Sequence, residues 1–202
     1  MSFKLQRGGA LISTLFILLA LLIIGASAAY TALGAQRAAR AERDHTIALQ
    51  AAEAALVDAE RDIEGGSDPA SARAALFADG NADGHADGFV AGCGSAAETN
   101  AGLCAHQLAP AAPAWQTIDL AAQGDDARTS AYGRFTGALF PAGAGTLPAH
   151  PPRYLIELMP HSRAGEDASR RSASVYRITA IGFGAREHTH VVLQSFYLKA
   201  AP

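Results

Sequence analysis

The chain of 202 residues carries 16 Lys+Arg against 19 Asp+Glu, a formal net charge of −3. That length holds one domain plus an extra segment and excludes a large multidomain enzyme. The charge balance excludes the basic footprint of a nucleic-acid binder, so no direct nucleic-acid contact is expected. Half of the chain is hydrophobic, but Ala fills 47 positions and much of the large aliphatic content falls before residue 35. Two cysteines, Cys93 and Cys104, are too few for a disulfide scaffold or a Cys₄ zinc site.

The first element is the run ALISTLFILLALLIIGASAA, from Ala10 to Ala29. It carries no charge, and Ser13, Thr14 and Ser27 are its only polar side chains. As a helix it covers about 30 Å, the thickness of a bilayer's hydrocarbon core. A cleaved secretory signal is the competing reading, with Ala26-Ser27-Ala28 as its small-x-small site, but a transmembrane anchor fits the length better. Lys4 and Arg7 precede the span, while Arg37, Arg40 and Arg43 follow it, so charge alone does not set the topology.

Helix-favouring sequence continues past the span to Gly65-Gly66. Leu49, Ala52, Leu56, Ala59 and Ile63 recur at spacings of three and four, an apolar helical stripe. Arg40 with Asp44, and Asp58 with Arg61, sit where helix-surface ion pairs form. The glycine pair is a stop, and Asp68-Pro69 reads as the N-cap and first position of a further helix. Residues 10–64 are thus one helix of about 80 Å, half suited to lipid and half amphipathic.

Beyond residue 65 the composition shifts to Ala, Gly, Asp and Pro, with loops at 79–92 and 141–152. Asp79, Asn81, Asp83 and Asp87 place oxygen donors at positions 1, 3, 5 and 9 of a calcium loop. Gly84 stands at position 6 and the His85 carbonyl at position 7. Position 12, where a bidentate Glu belongs, is Val90, so Ca²⁺ and a solvated Asp/Gly loop both remain open. Five segments read as strands: Trp115–Leu120, Tyr132–Phe140, Tyr154–Met159, Val175–Phe183 and His190–Leu198. The short link 184–189 makes the last two an antiparallel hairpin. An antiparallel sheet packed on the amphipathic half of the helix buries two apolar faces that neither element can bury alone, an α+β architecture.

Catalytic signatures are missing: there is no G-x-S-x-G, P-loop, H-E-x-x-H or C-x-x-C, so no enzyme activity or catalytic residue is assigned. His188 and His190 share a strand face near Glu187, and read as solvent-facing rather than as metal ligands. Trp115, near Pro113, reads as core or as a partner contact.

The N-terminal run Lys4-Leu5-Gln6-Arg7-Gly8-Gly9-Ala10-Leu11-Ile12-Ser13 resembles the start of a type IV prepilin. Its part Gln6-Arg7-Gly8-Gly9-Ala10-Leu11-Ile12, together with Ala48-Leu49-Gln50-Ala51-Ala52-Glu53-Ala54-Ala55-Leu56, is similar to the PilX family of minor pilins. So are Pro152-Arg153-Tyr154-Leu155-Ile156-Glu157, Tyr176-Arg177-Ile178-Thr179-Ala180, Gly182-Phe183-Gly184 and Val192-Leu193-Gln194-Ser195. The stretch 65–150 carries little of the resemblance.

The resemblance implies a pilin-like fold and three parts: a leader at 1–8, a long helix at 9–64 with its span at 10–30, and a globular domain at 65–202. It implies cleavage between Gly8 and Gly9 by the prepilin peptidase, with N-methylation of Gly9. The chain would sit once through the inner membrane with its C-terminal domain in the periplasm, then move to the pilus tip. The other implied partners are further minor pilins, the major pilin, the tip adhesin and the inner-membrane assembly platform. In that compartment Cys93 and Cys104 are expected to form a disulfide. The fifth mature residue of pilins is usually Glu, thought to neutralise the next subunit's amine, and here it is Ser13. An unpaired carboxylate in hydrocarbon costs about 2.5–3.5 kcal/mol or more, so Ser suits a subunit with no amine to meet, as at the tip. The readings that compete are a type II secretion tip pseudopilin, whose relatives are usually longer, and a membrane-anchored periplasmic calcium-binding or enzymatic domain.

Overall fold

The computed structural model describes residues 8–77, 87–160 and 174–199. The chain divides into two compact units, Met1–Arg43 and Asp44–Pro202. One helix, α1 (Gly8–Ile63), contributes to both.

In the first unit every residue from Gly9 to Arg43 is solvent-exposed, including Leu15, Phe16, Leu22 and Ile24. By length and composition this helix can cross a membrane. The serine and threonine hydroxyls of the apolar span are satisfied within the helix. Ser13 Oγ donates to the Ala10 carbonyl at 2.9 Å, Thr14 Oγ1 to Leu11 at 2.9 Å, and Ser27 Oγ to Ile24 at 2.8 Å. A spanning helix needs this closure, because hydrocarbon offers no hydrogen-bond partner.

In the second unit the rest of α1 lies on a mixed sheet. Its strands are β1 (Leu103–Ala105), β2 (Ser130–Ala131), β3 (Arg153–Met159), β4 (Ser174–Phe183) and β5 (His190–Lys199). The order is β1-β3-β4-β5, with β2 also on β3. β3, β4 and β5 pair antiparallel, and β4–β5 form the expected hairpin with ten pairs in unbroken register. β1 runs parallel to β3, so the sheet is not purely antiparallel.

Two expected strands are not strands. Trp115–Leu120 begins as a short helix, α3 (Ala114–Thr117). Trp115 and Ile118, three residues apart, pack with Leu120 on Cys93, Cys104 and Leu155; that spacing belongs to a helical turn rather than to alternation. Tyr132–Phe140 is a chain of turns. Gly133 has φ 75°, and a Cβ there would lie 1.8 Å from the Ala138 carbonyl oxygen, which fixes a tight reversal that only glycine permits.

Both faces of β3 are covered. Tyr154, Ile156 and Leu158 join the cluster under α1, where Phe77, Phe89 and Tyr176 pack with ring centroids 5.8–6.0 Å apart. Leu155 and Glu157 lie under the disulfide segment. Glu157, fully buried, accepts two 2.8 Å bonds from Arg177 and one from the Ala114 amide. Its charge is therefore fully partnered.

Helix α1 stops as the glycine pair implies. The Gly66 amide donates to Arg61 O at 2.8 Å and the Gly65 amide to Asp62 O at 3.1 Å, the Schellman pattern. The next helix, α2 (Ala72–Ala75), starts later than expected. Ser71, not Asp68, is its N-cap and accepts from the Ala74 amide; Asp68 instead accepts from Ala70 in a local turn.

Candidate functional site

The face of α1 that meets the sheet includes Ala52, Ala59 and Ile63 of the apolar stripe read from the sequence but is centred on a neighbouring row. Asp44, Ala48, Ala51, Ala55, Asp58 and Asp62 follow one another at spacings of 4, 3, 4, 3 and 4, and all are buried, with Ala52, Ala59 and Ile63 beside them. Leu49 and Leu56 are only half-buried at its margin. Alanine rather than leucine fills the centre because the backbones come close. A Cβ on Gly182 of β4 would lie 2.2 Å from both the Ala48 carbonyl oxygen and the Ala52 nitrogen. One on Gly184 would lie 2.6 Å from Asp44 Oδ1. Glycine in the strand and alanine in the helix make this a backbone-to-backbone joint.

Asp44 and Asp58 are not surface ion-pair partners of Arg40 and Arg61. Each carboxylate caps a loop of the sheet domain, because buried charge requires donors and loop amides supply them. Asp44 accepts from the Ala185 and Arg186 amides at 2.6 and 3.3 Å, holding the β4–β5 turn. Asp58 accepts from the Gly133 amide at 2.8 Å and from Thr136 Oγ1, holding the 133–138 turns. Asp62 pairs with Arg73 in a two-pronged contact of 3.0 and 2.6 Å and accepts from the Tyr154 hydroxyl at 3.0 Å. Arg73 also donates to the Thr99 and Ala101 carbonyls, and its guanidinium lies 4.0 Å from the centre of the Phe135 ring. Burial and the neighbouring Asp62 charge raise the Tyr154 hydroxyl well above its ordinary value, so it remains a donor. At the far end Tyr197 donates to Glu64 at 2.7 Å, and that bond with partial burial pushes its hydroxyl up to about 12.

The two loop-capping aspartates respond to acid in opposite senses. Burial raises the Asp58 carboxyl above 3.8, more than the Thr136 and Gly133 bonds lower it. Burial also acts on Asp44, but the nearby Thr189 side chain, the Arg186 and Ala185 amides and the Arg186 charge outweigh it, and its carboxyl falls below 3.8. A lowered carboxyl stabilises the fold above its unfolded value and loses that contribution as pH falls through its folded value. Asp44→Asn is therefore expected to flatten the loss of thermal stability below about pH 4, measured as melting temperature against pH; an unchanged acid limb refutes this.

Cys93 and Cys104 form a disulfide that staples the parallel strand β1 to the preceding loop. The pairing closes a loop with a sequence separation of 11, a constraint of about 2–3 kcal/mol. Asp79, Asn81, Asp83 and His85 lie outside the described residues, and Asp87 is exposed. Among the described residues no group of three or more His, Cys, Asp or Glu could hold a metal ion. His188 and His190 are exposed, and Glu187 lies 4.0 Å from His150 instead. Trp115 belongs to the half-buried rim of the disulfide cluster.

Residues 7–57 match the family described as PilX N-terminal, and residues 88–199 match the type IV pilus assembly protein PilX C-terminal family. The chain belongs to the PilX family. No curated protein and no solved structure gives a significant match. PilX membership carries involvement in type IV pilus assembly and places the chain in a structural pilin family rather than an enzyme family. The two matches between them include part of the docking joint: Asp44 to Leu56 of the helix fall in the first, and Gly182, Gly184 and the β4–β5 turn in the second, while Asp58 falls just outside. Asp62 and Arg73 lie in the gap. The signal of the joint in this sequence is the 4-3-4-3-4 row of small and acidic residues, none of them a large aliphatic.

Proposed function

We propose that this PilX-family chain is a minor pilin that primes type IV pilus assembly and occupies or adjoins the pilus tip. The observation that carries this is Ser13, whose hydroxyl is satisfied by the Ala10 carbonyl of its own helix. A Glu there would need an amine from a neighbouring subunit, whereas this Ser needs nothing from outside. Such a helix suits the first subunit of a fibre, which has no amine ahead of it to neutralise.

On this reading the prepilin peptidase removes residues 1–8, and the mature chain starts at N-methylated Gly9. The apolar part of α1 anchors it in the inner membrane with its C-terminal domain in the periplasm. Assembly then moves it to the tip, against other minor pilins, the major pilin and the adhesin. The sheet supports such contacts by leaving Val192, Phe196 and Leu198 of β5 exposed on one face.

Two measurements test the reading. Ser13→Glu is expected to reduce surface fibres several-fold while the protein level stays normal, because it buries a carboxylate with no partner. Undiminished fibre counts refute the tip role. Mass spectrometry of the mature protein is expected to find methylated Gly9; an intact Met1 or Ser2 refutes the processing step and with it the pilin reading.

A further inference from the structure

Three arginines stand directly after the apolar span on a helix whose surface is open to solvent. Leu33 is the last large aliphatic residue before them, and Tyr30, 77 % exposed, sits one turn earlier. Arg37, Arg40 and Arg43 then follow at intervals of three, all exposed and none in an ion pair among the described residues. Successive members are rotated by about 60°, so the three cover one continuous third of the helix surface. Glu42 is the one acidic residue from Thr31 to Arg43, and the segment carries an excess of positive charge.

Depth along the helix fits the layers of a bilayer. Arg37 lies about 6 Å beyond Leu33 and Arg40 about 10 Å beyond it. The headgroup layer on each side of the hydrocarbon is about 5–8 Å thick. Helical side chains lean toward the N-terminus, so Arg37 and Arg40 reach back into that layer and Arg43 reaches its surface. The three arginines also outnumber Lys4 and Arg7 on the other side of the span. With the C-terminal domain outside, that distribution opposes the usual bias and calls for a compensating negative charge on the arginine side.

We propose that Arg37, Arg40 and Arg43 form a collar that binds the phosphates of anionic phospholipids at the C-terminal end of the span. Guanidinium groups match phosphate oxygens in paired hydrogen bonds, and the lipid supplies negative charge to balance the excess of arginine in this segment. The collar fixes how deep the helix sits, and its lipids are surrendered when the subunit leaves the bilayer. The proposal rests on the membrane-spanning reading of α1.

The test uses the full chain in detergent with equal amounts of phosphatidylglycerol and phosphatidylcholine, and retained lipid is counted by native mass spectrometry. Each arginine is worth about fivefold in selectivity, so the wild type is expected to favour phosphatidylglycerol by at least tenfold. The triple Arg→Gln variant should bind both lipids equally, and the triple Arg→Lys variant should keep much of the preference. No preference in the wild type, or the same preference in the Gln variant, overturns the collar. A Gln variant with wild-type lipid retention that no longer co-purifies with other minor pilins overturns it too, and assigns the arginines to an acidic protein surface. Release of the wild type from membranes by alkaline carbonate overturns the span itself, a failure distinct from an embedded chain without lipid preference.

Discussion

Gly182→Val is expected to lower the melting temperature by about 10 °C and to separate the helix from the sheet. Even the first atom of a side chain at this position would lie 2.2 Å from two backbone atoms of α1. A flexible side chain can swing away, but the Ala48 carbonyl and the Ala52 amide are fixed by the hydrogen bonds of their own helix. The whole element must therefore move. Overpacking usually costs about 1–3 kcal/mol, and contact with rigid backbone puts this case at about 3 kcal/mol or more. In a chain of this size that corresponds to the shift given above. A displaced α1 would also strip Asp44 and Asp58 of their loop amides, leaving two carboxylates without partners. Thermal unfolding of the full chain in detergent checks the size of the effect. Fibre counts are expected to fall although the N-terminus is untouched. A variant that melts within a few degrees of the wild type shows that the joint is looser than its geometry.

The pair of Asp62 and Arg73 should give a loss of similar size through a different cause. Both side chains are almost completely buried, 0 % and 4 % exposed, so neither charge can fall back on water. Removing either partner alone strands the other, at about 3–5 kcal/mol. Arg73→Met and Asp62→Leu combined should cost clearly less than the two singles added, because the doubly apolar pair leaves no charge behind. The Thr99 and Ala101 carbonyls still lose their guanidinium donor, so the double variant does not return to wild-type stability. Denaturant unfolding of the four proteins gives the coupling. Additive losses would mean that the contact is not a coupled ion pair.

The features behind these two effects differ in how legible they are in the sequence. The apolar span, the length of α1, its stop at Gly65-Gly66 and the β4–β5 hairpin follow from local rules. A bilayer's thickness, helical periodicity, glycine at a helix end and strand alternation are each readable within a few neighbouring residues. The docking face was hidden because its meaning is not local. Asp44 and Asp58 look like ordinary surface carboxylates until the 184–186 and 133–136 turns arrive to donate to them. Arg73 looks like one more exposed helical base until Asp62, Tyr154 and the 99–101 carbonyls enclose it. β1 is not legible in the sequence because a three-residue strand paired in parallel carries no alternation of its own, and its partner lies some fifty residues away. The strand expectation at Trp115–Leu120 failed for the converse reason. Its apolar residues serve a helical turn laid across the sheet, and either use gives a similar short apolar run.

The order of residues by itself determined that the chain has a lipid-compatible rod with a Ser at position 13, an amphipathic extension and a strand-rich remainder. It did so because burial in hydrocarbon and regular secondary structure depend on composition and period. Only the tertiary structure decided which face of α1 is inside, why Gly182 must be bare, and where three aspartates and Arg73 send their charge. Those outcomes depend on groups far apart in the chain reaching one place, and a buried charge or a missing side chain acquires its role only from what is brought against it.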